Sequence, residues 1–257
     1  SPFAFTGNKF EFRMLGSSQS IALANTILNT ILADSFNAFA IYFEEEGCTP
    51  ATIRRVIGET LRSHGRVVFN GDNYSGQWAQ EAQERGLPAI GDTVQAMEAL
   101  EDPKNWKLLG RFGVLTPEEC ASRRGIMTEN YNKVVGIEAA TMVQMVRRQI
   151  LPAVARCTGG AARDVRDFAA AAGRPQGYLE EYLEELSNLT NAISNGVDSL
   201  ERDLDSLPED PRERAVYMRD VVRRDMAQLR DSCDSAEALL PRDAWPIPTY
   251  TDLLHYV

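Results

Sequence analysis

The chain has 257 residues, 44% of them hydrophobic and 25% charged, with 37 acidic against 27 basic side chains for a formal charge of −10. That length and apolar content can bury a substantial core, as one large or two modest units, and the acidic balance argues against a nucleic-acid partner, which requires a basic surface. No apolar run is long enough to span a membrane, no signal-peptide pattern is present, and Cys48, Cys120, Cys157 and Cys233 form no CxxC pair, as expected of reduced, mostly structural thiols in a cytosolic protein.

The chain opens on a predicted β-strand in which Lys9, Glu11 and Arg13 alternate with Phe10 and Phe12. Successive strand side chains point to opposite faces, so one face carries cation, anion, cation and the other is apolar. A solvated edge strand guarded against aggregation has the same pattern. Gly7-Asn8 before it and Gly16-Ser17-Ser18 after it are turn formers that let backbone approach a ligand. A carboxylate suits Mg²⁺ or Mn²⁺, and flanking cations suit a phosphate or a substrate carboxylate.

Helices follow. Ile21, Asn25, Leu28, Leu32, Phe36 and Phe39 predict a helix from Ile21 to Phe43, closed by Gly47 and Pro50. Thr49-Pro50 opens a second, to about Ser63, which puts His64 at a helix C-terminus. Val67-Val68-Phe69 reads as a short strand and Asn70-Gly71-Asp72-Asn73 as a turn, before three short helices ending near Gly86, Glu101 and Gly113. Trp78 and Trp106, on these helices, read as core plugs. Thr116-Pro117-Glu118-Glu119 is a helix start with Thr as cap and Glu three residues on. The stretch to about Cys157 is apolar on several sides, as at the centre of a bundle. Glu138 lies inside it, as a functional acid or as the partner of an arginine such as Arg123 or Arg124, and Pro152 should bend the helix or end its regular hydrogen bonding.

Two seams then follow. Leu179, Tyr182, Leu186, Leu189, Ile193, Val197, Leu200, Leu204 and Leu207 step by threes and fours with one double four, and so do Ala215, Met218, Val222, Met226, Leu229, Cys233, Ala236 and Leu240. Leu207-Pro208-Glu209-Asp210-Pro211 breaks between them, which predicts an antiparallel coiled-coil-like hairpin over about 176–240 with both stutters at nearly the same level. Glu180, Glu181, Glu184, Glu185, Arg223, Arg224 and Asp225 read as a solvated face or the rim of a subunit contact. The closing Trp245-Pro-Ile-Pro-Thr-Tyr250 should strap back onto the bundle, with His255 packed in the apolar tail rather than catalytic. The sequence has no P-loop, GxGxxG motif or nucleophile elbow.

Gly-Asn-Lys-Phe-Glu-Phe-Arg at 7–13, entered through Ser-Pro-Phe-Ala-Phe at 1–5, resembles the late active-site strand of glutamine synthetases, in the wording of the large type III enzymes. Asn130-Tyr131, Ile137-Glu138-Ala139-Ala140-Thr141-Met142, Ile150-Leu151-Pro152-Ala153 and Trp245 to Tyr250 extend the resemblance over most of the chain. The resemblance implies a mainly α fold: a helical bundle preceded by one strand from the end of an α+β catalytic domain. It places the end of that domain at 1–46 and a helical C-terminal domain, with the hairpin and a Pro-rich tail, at 47–257. The first long helix would pack on the catalytic barrel.

By the same resemblance Glu11 ligates the divalent metal, Arg13 contacts substrate glutamate or its γ-phosphoryl as the catalytic and substrate-binding residue, and Lys9 lies near the nucleotide. Many relatives have Arg at that last position, and lysine offers a point charge instead of a bidentate fork. The implied reaction is ATP-dependent ligation of ammonia to glutamate through γ-glutamyl phosphate, with Mg²⁺ or Mn²⁺, in a large cytoplasmic homo-oligomer. The family's other metal ligands lie upstream of this strand, so a chain opening on Ser-Pro is expected to be the C-terminal part of a longer enzyme, inactive alone. The alternatives are a non-catalytic helical assembly or regulatory module, and a ligase relative using another amine.

Overall fold

A computed structural model describes the backbone of residues 3–5, 10–12, 20–70, 76–88 and 90–255, with side chains from residue 20 onward. Two compact units divide the chain, residues 1–124 and 125–257.

In the first unit, β1 (Phe3–Phe5) and β2 (Phe10–Phe12) pair antiparallel, with Ala4 opposite Glu11. Helix α1 (Ala22–Glu46) ends where Gly47, at φ 78°, donates its N–H to the Phe43 carbonyl, a left-handed turn that glycine makes without a Cβ clash. Helix α2 (Pro50–His64) starts on a reciprocal cap in which Thr49 and Thr52 each accept from the other's backbone N–H. Arg55 ties the two helices together, donating to Tyr42 Oη and Glu46 Oε2, each at 2.6 Å. Several apolar positions of α1 are exposed: Ile31, Leu32, Phe36 and Ile41.

No strand forms at Val67–Phe69. Val67 closes the 3₁₀ turn Gly65–Val67, and the guanidinium of Arg85 takes the carbonyls of Arg66 and Val68 at 3.0 and 2.7 Å. A β-branched run needs a ladder partner to be a strand, and here a side chain fills that place. The turn expected at 70–73 falls mostly outside the described residues. Helices α3 (Gln77–Glu84), α4 (Thr93–Glu98) and α5 (Pro103–Arg111) follow, with a 3₁₀ turn Ala99–Glu101 between the last two. Asp92 and Asp102 cap α4 and α5.

The tryptophans are packing residues, though only half-buried. Trp78 lies 4.8 Å from the Phe69 ring with the Arg85 guanidinium over its own, and Trp106 packs on the small cluster of Leu109, Leu115 and Cys120. Helix α6 (Pro117–Met145) opens on the predicted box, in which the Thr116 N–H reaches Glu119 at 2.8 Å.

The second unit is a bundle of three long helical stretches. The first is α6, a π-turn Val146–Ile150 and α7 (Leu151–Ala172); the second is α8 (Gly177–Asp205); the third is α9 (Pro211–Tyr217), a π-turn Met218–Val222 and α10 (Arg223–Leu239). Helical backbone continues through Pro152, but regular α hydrogen bonding ends just ahead of it, in the π-turn Val146–Ile150, one of the two outcomes expected of the proline. Proline has no N–H to donate and crowds the carbonyl four residues back, and the wider π-turn just ahead of it accommodates both.

The hairpin forms as its seams predict: Leu186, Ile193, Val197, Leu200, Met218, Val222, Leu229 and Ala236 are at most 2% exposed. Asp210 caps the return helix from the loop. The stutters, however, do not align. Gly196 sits against Leu229, Ser199 bonds Asp225 and Asp203 bonds Tyr217, which sets the two double fours about nine residues, or ~13 Å, apart. The return helix takes up its extra residue in the π-turn. Helix α8 stays regular because it packs on α7 as well as α10, and its second step of four serves that other neighbour.

Along α6, Ile126, Val134 and Ile137 are exposed, so that helix forms one side of the bundle instead of its centre. Trp245 is buried and Ile247 packs on the core, so the tail straps back as expected before α11 (Tyr250–His255). His255 is exposed, as are Leu253 and Leu254 beside it.

Candidate functional site

Glu11 lies at the centre of β2, described in backbone only, and Lys9 and Arg13 lie outside the described residues. Among the described residues no group of three or more His, Cys, Asp or Glu side chains is placed to hold a metal ion. A single carboxylate is one ligand of the six that Mg²⁺ takes. One carboxylate at position 11 is therefore not by itself a metal site.

The charged residues that the structure does bring together lie in the second unit, on the stretch of α8 that faces both π-turns. Arg147, in the first π-turn, donates through Nε to Glu201 at 3.1 Å and through Nη2 to both Glu201 and Asp198. This pairing raises the Arg147 pKa and holds the Glu201 carboxyl below its ordinary value. One turn on, Asp203 accepts from Tyr217 Oη at 3.2 Å, while Asp225 accepts from Ser199 Oγ at 3.0 Å and pairs with Arg224 at 3.0 Å.

The other oxygen of Asp203, Oδ2, is buried with no donor, next to the Asp225 carboxylate. Burial, and then the neighbouring Asp225, push the Asp203 pKa up. Burial also acts to raise Asp225, but hydrogen bonds from Arg224, Ser199 and Asp203 outweigh it and bring that group down. A proton on Asp203 would supply the donor its Oδ2 otherwise lacks, pairing a carboxyl with the Asp225 carboxylate. Asp225 is thus the exception among the charges read as solvated: its side chain is 12% exposed, whereas Glu180, Glu181, Glu184, Glu185, Arg223 and Arg224 face solvent. In the sequence it is one acid within an Arg-Arg-Asp run, and nothing in that run marks it as turned inward.

Glu138 is not a buried acid. It is exposed and has no hydrogen bond or ion pair among the described residues, and Arg124, its expected partner, is buried against Glu98 and Glu101. Glu138 stands instead at the edge of a groove of about 530 Å³ walled by α6 and its π-turn, by α10 and by the tail. Met142, Met145, Ile150, Met226, Trp245 and Ile247 line it, and Arg230, Asp234, Glu237 and Tyr250 supply its polar side. The tail is fastened there by Tyr250, whose N–H donates to Glu237 at 3.0 Å and whose hydroxyl lies between Arg230 and Asp234.

Residues 52–168 match the family model described as the glutamine synthetase C-terminal domain. Over 266 aligned positions and 99% of its length, the chain is 32% identical to a type-3 glutamine synthetase of Dictyostelium discoideum, covering 36% of that protein. It is also 31% identical to a glutamine synthetase of Butyrivibrio fibrisolvens and 28% identical to one of Bacteroides fragilis, again over 99% of this chain, covering 37% and 36% of those proteins. The chain thus spans little more than a third of the length of the curated relatives it matches. The model covers most of α2 and runs through α6 into α7, and the relatives align over nearly all the rest, so the chain is similar to glutamine synthetases along almost its whole length.

Proposed function

We propose that the chain is the C-terminal portion of a type-3 glutamine synthetase, contributing one wall of the active site from its first residues and a helical extension that serves assembly. The similarity across 99% of the chain to a much longer type-3 enzyme carries this reading. The exposed apolar residues of α1 support it, because a 25-residue helix with Ile31, Leu32 and Phe36 in water is expected to pack on more protein.

In the complete enzyme, glutamate attacks the γ-phosphorus of ATP through its γ-carboxylate and releases ADP. Ammonia then displaces phosphate from the acyl phosphate. Both transfers depend on positioning and on neutralising charge. Arg13 is assigned to the substrate or the transferring phosphoryl, Lys9 to the nucleotide, and Glu11 to a Mg²⁺ or Mn²⁺ ion whose other ligands come from outside the described residues. On this reading residues 1–46 end the catalytic domain, and the protein is a cytoplasmic homo-oligomer. No helix among the described residues is long and apolar enough to cross a membrane.

Glu11→Ala and Arg13→Ala in the full-length enzyme, assayed for glutamine formation with Mg²⁺, should each lower kcat/KM by a hundredfold or more, on the order expected for losing one preorganised charge. Near-normal activity in both variants refutes the assignment.

A further inference from the structure

The groove of the second unit has the size and lining of a small-molecule site: about 530 Å³, walled by thioether, aliphatic and indole side chains, with polar groups along one side. We propose that it binds a small amphipathic cation, an amine with an aliphatic or aromatic body, whose charge rests at Glu138 while the body lies along Met142, Met145 and Met226.

The charges that line the groove favour a cation. Three acids, Glu138, Asp234 and Glu237, face one base, and that base, Arg230, is already engaged by Asp234 at 3.4 Å and by the Tyr250 hydroxyl. Glu237 accepts from the Tyr250 N–H. Glu138 alone of the four has no partner among the described residues, so the groove presents an uncompensated carboxylate beside an apolar wall. An anion entering here would meet net negative charge, and a neutral apolar molecule would leave Glu138 unused. Methionine thioethers are polarizable and adjust to irregular bodies, which suits a ligand recognised by its charge and size more than by its shape.

The tail closes one side of the groove: Trp245 is buried, Ile247 packs on the core and Tyr250 bonds Glu237, Arg230 and Asp234, while the indole Nε1 of Trp245 is buried without a hydrogen-bond partner.

The test is isothermal titration of the 257-residue chain at low salt and neutral pH with n-octylammonium, octanol and octanoate. Octylammonium should bind saturably at one site, about fivefold tighter than octanol, with octanoate weaker still. Glu138→Gln, at an exposed position that leaves the core intact, should bring octylammonium down to the octanol level. Thr141→Trp, also at an exposed lining residue, should abolish binding of all three with an unchanged circular-dichroism spectrum. The proposal is overturned if no saturable binding occurs, if octanoate binds as tightly as octylammonium, if Glu138→Gln keeps the preference for the cation, or if Thr141→Trp leaves the affinities unchanged in a folded protein.

Discussion

Replacing Asp203 by asparagine tests whether α8 and α10 share a proton. In the native protein the Asp203 pKa lies above its ordinary carboxylate value, so the folded state holds that proton more tightly than the unfolded chain does. The stability it contributes is fully present below the ordinary value and is lost as pH rises through the raised one. Asp225, shifted down, acts in the opposite sense: its contribution is present above the ordinary value and is lost as acid reaches the lowered one. The groups facing the pair are Arg202 and Ser199 from α8, Tyr217 from α9 and Arg224 from α10. The substituted amide would offer Asp225 a permanent N–H₂ donor and does not titrate. A hydrogen bond to a charged group is worth about 1.5 kcal/mol at the low end, or ~3–6 °C in Tm for a chain of this size. Thermal unfolding followed by near-ultraviolet circular dichroism from about pH 4 to 8 should therefore show Asp203→Asn gaining on the wild type by that amount as pH rises. Parallel Tm curves across the range would refute the shared proton.

Two glycines in the bundle should respond in opposite directions to the same change. A Cβ on Gly196 would lie 3.2 Å from Cδ1 of the fully buried Leu229 and 3.7 Å from its backbone, so Gly196→Ala should destabilise by about 1 kcal/mol in urea unfolding despite the gain in helix propensity. At Gly136 the neighbour is the flexible end of Met218 at 3.6 Å, and Gly136→Ala should stabilise by about 0.5–1 kcal/mol. The cysteines should sort by burial: Cys233, its thiol pushed up to about 12, should resist a disulfide reagent at about pH 8 until the chain unfolds, while exposed Cys48 reacts at once.

The hairpin was legible because its signal repeats. Each seam has eight or nine apolar positions at regular spacing, and no other packing satisfies so many at once. The caps at Thr49 and Thr116 were legible because a cap is local chemistry within four residues. What escaped depended on neighbours distant in sequence. Val67 to Phe69 has strand composition but no partner strand among the described residues, and Arg85, some 17 residues on, takes its carbonyls. Asp225 turns inward because Ser199 and Asp203 are waiting on another helix. Glu138 reads as buried from its apolar neighbours in sequence, but the helix carries it and Ile137 outward. The site residues Lys9, Glu11 and Arg13 rest on resemblance, since their alternation with phenylalanine also suits an ordinary edge strand.

The two π-turns lie against one stretch of α8, with Arg147 of the first reaching Asp198 and Glu201 and the second starting just after Tyr217, the partner of Asp203. Each holds one residue more than an α-helical turn would. Winding all five residues of Met218–Val222 as α-helix would turn everything after them by ~100°, whereas deleting one of the five would remove the extra residue and leave the later phase nearly unchanged. In the first case Leu229, Cys233, Ala236 and Leu240, all buried, would swing away from the core together. The π-turn thus works as a phase setting for the bundle: the same residues wound there as α-helix would keep every helix and still lose the packing between them.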